Sequence, residues 1–429
     1  MPDDFGKGVV IPLVKDKAGD LSSVDNYRPI TVSPTLSKVF EHVLLAVFGN
    51  YIISDELQFG FKKDTSCSHA ILVVRAVTEY FNDRNSNVFI ASLDATKAFD
   101  RVNHRKHFST LIAKNVPITF LKVIVNWYCK LCVFVRWNGA CSSVIHVTNG
   151  VRQGGVLSPS LFNLYINDVA VALRKSNLGC HVKGCFIGCI LYADDILLIS
   201  ASVVMLQSML SVCISVCESL DVLFNHKNHS ALLLAVITTQ AVLALISVAI
   251  NFSGSVKYLG VVIVSGPTFS ISIDQCCRKF YRALNAINYH CKFASEPVKM
   301  QLLEAYCLPI LAYGLDSVRL SKKQISELNV CWNNTYRKIF GYNRHESVKL
   351  LLCCLQRLDF KRSYDLKRLL FLKRVQSSSN SVIKCVLPFE LSSSSTLALL
   401  CEYNVCLNWN VALLRHSVNN VYCELVGFS

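Results

Sequence analysis

Residues 185–200 read CFIGCILYADDILLIS, an apolar stretch broken at one point by two adjacent carboxylates, Asp194 and Asp195. The pattern predicts two apolar strands joined by a tight turn that holds both acids. Such a placement is costly, because neighbouring carboxylates repel and one takes up a proton unless a cation lies close by. Asp94 ends another short apolar run, residues 88–93, and can bring a third carboxylate to the same point. A set of oxygen ligands suits Mg²⁺, which keeps waters and completes its shell from phosphates. Two such ions about 4 Å apart would clamp the attacking and leaving oxygens of an in-line phosphoryl transfer. The plainer alternative is a hairpin turn at Asp194–Asp195 and a helix cap at Asp94, and these three residues alone do not decide between the two.

The surrounding chain alternates apolar strands with amphipathic helices. Residues 9–14 read as a strand. Ser33–Pro34 reads as an N-cap followed by proline at the first helical position, with Leu36, Val39, Phe40, Val43, Leu44 and Val47 at helical spacing behind it. A second helix is expected over 70–81. Gly154–Gly155 leads to Ser158–Pro159 and a helix through Leu161, Tyr165, Val169 and Leu173, and a long helix follows the hairpin from Val203 to Leu220. The twenty residues 231–250, ALLLAVITTQAVLALISVAI, carry no charge and have the length of a membrane span. The competing reading is a pair of buried strands around Thr238–Thr239–Gln240.

Composition narrows the class. The chain has 429 residues, room for two to four domains at about 150 residues each. With 52% apolar and 17% charged residues it can bury large cores, which excludes long disorder, coiled coil and collagen. Its net charge of +15 points to a polyanionic partner, nucleic acid first and an anionic membrane second. Residues 278–374 hold 19 Lys/Arg against 7 Asp/Glu, so most of the excess belongs to that region. The 20 cysteines lack zinc-site spacing and read as small buried thiols in a reducing compartment. With no signal segment, the expectation is an intracellular protein, nuclear or cytoplasmic, and not secreted. His104 and His107 read as the start of a surface helix rather than a metal site.

In order along the chain, a set of motifs resembles the reverse transcriptase of non-LTR (LINE-type) retrotransposons. FIASLDATKAFDRVNH at 89–104 is similar to the family's first catalytic motif, GVRQGGVLSPSLFNLYIND at 150–168 to its template- and nucleotide-positioning motif, and LYADDILL at 191–198 to its catalytic hairpin. VVIPLVKDKAGD with NYRPI, and QFGFKKDTSCSHAI at 58–71, resemble the fingers and the segment after them. VKYLGVVI at 256–263 resembles the primer-grip strand, and AYCLPILAYGL and NNTYRKIFGY the thumb and the segment beyond it. The likeness runs over about residues 8–370.

The resemblance implies an α+β right-hand polymerase, with fingers and palm (1–265) on a ferredoxin-like antiparallel sheet. A basic, mostly helical thumb and connection (266–375) and a poorly defined tail (376–429) follow. It implies an RNA-directed DNA polymerase that takes an RNA template, a DNA primer and deoxynucleoside triphosphates. In that frame Asp94, Asp194 and Asp195 bind two Mg²⁺ ions, for which Mn²⁺ can substitute. Lys15 and Arg28 reach the triphosphate, and Phe99 excludes a 2′-hydroxyl. Gln153 and Gly154 line the nascent base pair. Lys227 is the general acid for pyrophosphate, and Tyr258, Leu259 and Gly260 form the primer grip. The frame argues against a membrane span at 231–250. The first finger strand starts so early that the endonuclease of such elements is expected to come from another chain. The alternative is a catalytically inactive remnant or a domesticated nucleic-acid binder.

Overall fold

The computed structural model describes residues 2–17, 19–95, 98–152, 154–224, 230–234, 242–245 and 248–427. Its centre is a six-stranded sheet in the order Val242–Leu245, Val248–Ser253, Ser230–Leu234, Val88–Asp94, Asp195–Ser200, Cys189–Tyr192. Strand Val88–Asp94 lies in the middle, antiparallel to Asp195–Ser200 on one side and to Ser230–Leu234 on the other. Its residues from Val88 to Ala91 are all buried, as a strand covered on both faces requires. The uncharged segment 231–250 therefore supplies sheet strands wherever it is described. Among the described residues no single helix is long and apolar enough to cross a membrane, although the bent pair Ser381–Leu391 and Ser394–Glu402 passes by length and composition.

Helix Cys67–Asn82 runs under this sheet with every residue from His69 to Thr78 buried. A helix apolar all round needs cover on both sides. One side meets the palm strands, and the other meets helix Ser381–Leu391 near the end of the chain. Arg75, 2% exposed, fastens that second contact: it pairs with Glu390 at 2.6 Å and donates from Nε to the Ser317 carbonyl at 2.8 Å. Glu390 also receives Arg319 at 2.9 Å. The segment 376–429, expected to be a poorly defined tail, thus has three helices among its described residues, Ser381–Leu391, Ser394–Glu402 and Val411–Val426. Each of the three helices is capped: Asn380, Ser393 and Asn410 each accept a backbone N–H of the helix they open.

The fingers are a smaller sheet in which Lys7–Val14 pairs with Tyr27–Val32 and with Cys132–Trp137. Beside it, helix Thr35–Phe48 is rotated from expectation, with Leu44 buried and Phe40 packed against the core but the other expected positions turned out. Leu36, Val39, Val43 and Val47 are 69%, 54%, 50% and 60% exposed, whereas Ser37 and Glu41 are buried. Arg152 explains the rotation. It pairs with Glu41 at 3.2 Å and donates to Ser37 Oγ at 2.8 Å and to the Phe5 carbonyl at 2.9 Å. A buried cation left without these partners would cost far more than exposing a few aliphatic groups. The helix starts one residue later than the sequence suggests, with Pro34 at the N-cap and no capping side chain.

After the palm, a three-stranded sheet (Ser255–Tyr258, Val261–Val264, Ser270–Ser272) leads into helices, beginning with Asp274–His290. The largest core is continuous from the palm through these helices to the end of the chain, with Trp332, Tyr336 and Phe371 among its members.

Candidate active site

The carboxylate site is set by strand register. Asp195 is the direct cross-strand partner of Asp94, and Tyr192 closes the hairpin opposite Asp195. Ala193 and Asp194 are the two turn residues. Ala193 takes φ +56° and Asp194 does not have positive φ, the pattern of a II′ hairpin turn. Alanine there costs on the order of 1 kcal/mol, and residues from elsewhere in the chain hold the turn in place. The buried Gln58 Oε1 accepts the Ala193 N–H at 3.0 Å and the Gly60 N–H at 2.9 Å. Phe59 N–H donates to Leu191 O at 2.8 Å, and Leu191 N–H to Leu57 O at 2.9 Å. Gly60 is required by this close approach, since a Cβ there would lie 2.5 Å from the Ala193 nitrogen.

The electrostatics agree with the geometry. Burial, with Asp194 and Asp94 as like charges beside it, pushes the Asp195 carboxyl up to about 6, and Lys257 pulls it partway back. Burial, with Asp94 again contributing, also raises the Asp194 carboxyl. Such a cluster fits a hard divalent cation, which relieves the repulsion. Among the described residues no group of three His, Cys, Asp or Glu is placed to hold a metal ion.

Asp94 and Asp194 open onto a cleft of about 1190 Å³. Its other walls include Lys15 and Arg28 from the fingers, Phe99 and Gly154, so one cavity collects most of the residues expected to bind nucleotide. Lys15 Nζ donates to the Asp25 carbonyl at 2.7 Å, and Arg28 stands exposed opposite Leu13 in the register of the finger strands. Phe99 stacks on Phe162 at 4.3 Å between centroids, which fixes its ring plane. Gly154 has φ +92°, and a Cβ on it would approach the Thr31 carbonyl oxygen to 2.6 Å. Glycine is therefore dictated there by the finger strand. Gln153 and Lys227 lie outside the described residues.

Tyr258, Leu259 and Gly260 form the turn between strands Ser255–Tyr258 and Val261–Val264. Leu259 at φ +44° and Gly260 at φ +86° make it a two-residue loop of the I′ kind. Gly260 sits against Tyr313, 2.7 Å from where a Cβ would be. Tyr258 is buried with its hydroxyl unpartnered, and burial together with Asp195 drives its phenol strongly toward the protonated form.

Other residues complete the site without being marked by their motifs. Gln58 is one: it heads the segment QFGFKKDTSCSHAI at 58–71, which does not by itself say that its side chain holds the catalytic turn. Phe61, at φ +56° and 55% exposed, lines the cleft with its ring edge-on to Phe99 at 6.1 Å. Arg101 lines the cleft as well, and Lys257, one residue before Tyr258, acts on Asp195. His104 Nε2 meets the Gly150 carbonyl at 2.8 Å. His107 is fully buried, so the pair is not a surface helix start throughout. Burial holds the His107 imidazole down to about 3, hence neutral.

A palm sheet carrying paired carboxylates, flanked by a finger sheet and a helical thumb, defines a right-hand polymerase. The chain matches the reverse transcriptase (RNA-dependent DNA polymerase) family over residues 14–263 and belongs to it. The relatives it is similar to include proteins of retrotransposable elements. It is 29% identical over 185 residues to the Pol polyprotein of the R2DM element of Drosophila melanogaster, a match covering 43% of this chain and 17% of that protein. It is 25% identical over 356 residues to the RNA-directed DNA polymerase of the mobile element jockey of Drosophila funebris, covering 78% of this chain and 37% of that one. The matches thus span well under half the length of these two relatives. Among solved structures, apo telomerase from Candida Tropicalis aligns over 92% of this chain and 69% of that chain, at 12% identity and a TM-score of 0.49.

Proposed function

We propose that this chain extends a DNA 3′ end on an RNA template with deoxynucleoside triphosphates, as the polymerase portion of a non-LTR element. The observation that carries the reading is the register pair Asp94–Asp195, with Asp94 and Asp194 lining one cleft together with Lys15 and Arg28. Asp94, Asp194 and Asp195 would hold two Mg²⁺ ions, or Mn²⁺ in their place. When bound, these ions supply acidification of the primer 3′ hydroxyl and charge neutralisation at the leaving pyrophosphate. The chain's own residues do the rest. Lys15 and Arg28 meet the triphosphate where negative charge builds up, Lys15 exchanging its Asp25 carbonyl for phosphate oxygen. Phe99, its plane fixed by Phe162, occupies the space a 2′-hydroxyl would need. Gly154 lets the backbone approach the nascent base pair. The Tyr258–Gly260 turn supports the primer terminus, Lys227 is the candidate acid for pyrophosphate, and Gln153 joins the base-pair pocket. The basic region 278–374 tracks template–primer phosphates, with binding that weakens steeply as salt rises.

The deciding experiment is primer extension on an RNA template with deoxynucleotides and Mg²⁺ or Mn²⁺, run beside the Asp194→Ala protein. Extension by the parent alone supports the reading. Absent extension with salt-sensitive template–primer binding intact would instead indicate a remnant that kept its grip and lost its chemistry.

A further inference from the structure

The helix Asp274–His290 turns Phe280 and Leu284 into the core and leaves its opposite face open. Arg278, Arg282 and Tyr289 stand on that face, and their spacing of four and seven residues aligns them along one line. Phe293 lies three residues beyond the helix end, in the turn that follows. Tyr289 is 80% exposed and Phe293 is 95% exposed, an extreme for side chains of this size. The tip that carries them is not loose. Cys291 N–H donates to Ile287 O at 2.8 Å, Ala294 N–H to Cys291 O at 3.0 Å, and Lys299 Nζ reaches back to Lys292 O at 3.2 Å. Lys292 Nζ lies 5.7 Å from the Phe293 centroid.

Two open rings four residues apart, each offering roughly 150–250 Å² of surface, mark a contact site. The charge around them selects the partner. Residues 278–299 contain five Lys/Arg and one acid, Glu296. An apolar protein surface would have to bury Arg282 and Lys292 along with the rings. A single strand of nucleic acid satisfies both at once, because each base has a π-face to stack and each phosphate an oxygen to bind. A duplex offers the phosphates but keeps its base faces covered.

We propose that Tyr289 and Phe293 form a stacking platform for unpaired bases of single-stranded nucleic acid, with Arg282 and Lys292 holding the flanking phosphates. The site lies outside the carboxylate cleft and does not depend on polymerase activity.

Fluorescence anisotropy on the full chain tests this, with labelled 20-nucleotide oligo(dT) and oligo(U) beside a 20-base-pair duplex. Because both rings are exposed, Tyr289→Ala/Phe293→Ala should melt like the parent. It should bind either single strand about tenfold more weakly, at an unchanged salt slope, while duplex affinity changes less than about twofold. Arg282→Ala/Lys292→Ala should weaken both ligands and make the salt dependence shallower. Tyr289→Phe should retain full affinity. Equal losses on single strand and duplex would reduce the site to a general phosphate contact and overturn the platform. Parent-like binding by the double alanine variant, or full binding by Tyr289→Leu/Phe293→Leu, would overturn it too. So would a variant that loses only sedimentation with anionic phosphatidylserine vesicles.

Discussion

Asp94 and Asp195 face each other across two antiparallel strands, so the backbone hydrogen-bond ladder sets the separation of their Cα atoms. Directly opposed residues in such a ladder have Cα atoms about 4.5–5.5 Å apart. Like charges directly opposite are unfavourable in a sheet, and these two gain Asp194 as a third neighbour. A register slip of one residue would turn Asp195 to the other face of the sheet. The bonds that tie Leu191 and Ala193 to Leu57, Gln58 and Phe59 hold the hairpin against that slip.

Replacing Asp194 by alanine tests whether the carboxylates serve chemistry alone. Primer extension should fall by at least about a thousandfold. Template–primer affinity, measured by filter binding, should stay within about twofold, because the phosphates are held by cations elsewhere. Equal loss of binding would remove Asp194 from the proposed ion site.

The sugar pocket is tested at Phe99. Phe99→Ala should raise the efficiency of ribonucleotide relative to deoxynucleotide incorporation, read as the ratio of their kcat/KM values. Phe61, edge-on to Phe99, should shift the same ratio in the same direction, by less, when changed to alanine. An unchanged ratio in Phe99→Ala would assign that ring to packing on Phe162.

Gln58 is the joint between fingers segment and catalytic turn. Gln58→Ala leaves the N–H groups of Ala193 and Gly60 without their acceptor, a cost of about 1–3 kcal/mol for each buried donor that stays dry. Urea unfolding should register that loss. A displaced turn should also lower kcat by about a hundredfold with little change in KM for nucleotide. A stability loss with kcat intact would make Gln58 a purely structural residue.

The Asp195 carboxyl gives a pH dependence with a definite sign. Its folded value of about 6 lies above the ordinary 3.8, so between those values the folded protein keeps a proton that the unfolded chain releases. In the metal-free protein this group therefore adds stability as pH falls through that window and subtracts it above. A divalent ion competes with that proton. Calorimetry should find Mg²⁺ bound more tightly at about pH 7.5 than at about pH 5, with protons released on binding near pH 6. Equal affinities without proton release would separate the ion from Asp195.

Arg75 tests the attachment of the C-terminal helices. Arg75→Ala removes the guanidinium that joins Glu390 to the Ser317 carbonyl, leaving Glu390 with Arg319, and should destabilise the protein by about 1–3 kcal/mol in chemical denaturation. Limited proteolysis should then cut between residues 376 and 429 sooner than in the parent. Undiminished stability would mean that apolar packing alone holds that segment.

Much of the site was legible in residue order. The apolar run around Asp194–Asp195, the strand ending in Asp94 and the proline-opened helix after Gly155 declare themselves because alternation and helical spacing are local properties. The uncharged 231–250 stretch was ambiguous by the same measure, because a strand buried on both faces and a membrane span share one composition. Only its pairing with Val88–Asp94 tells them apart.

What the tertiary structure alone decided are the contacts between residues far apart in the chain. Gln58 meets Ala193, Arg75 meets Glu390, and Arg152 turns helix Thr35–Phe48 so that Glu41 faces inward and Val39 and Val43 face out. Hydrophobic spacing states which face of an element is apolar, not what will cover it. Where a buried ion must find its partner, electrostatics overrides the apolar stripe. The sequence by itself determined which carboxylates stand at strand ends. Folding decided which strand ends meet and which distant side chains hold them there, because those free energies exist only once the chain has closed on itself.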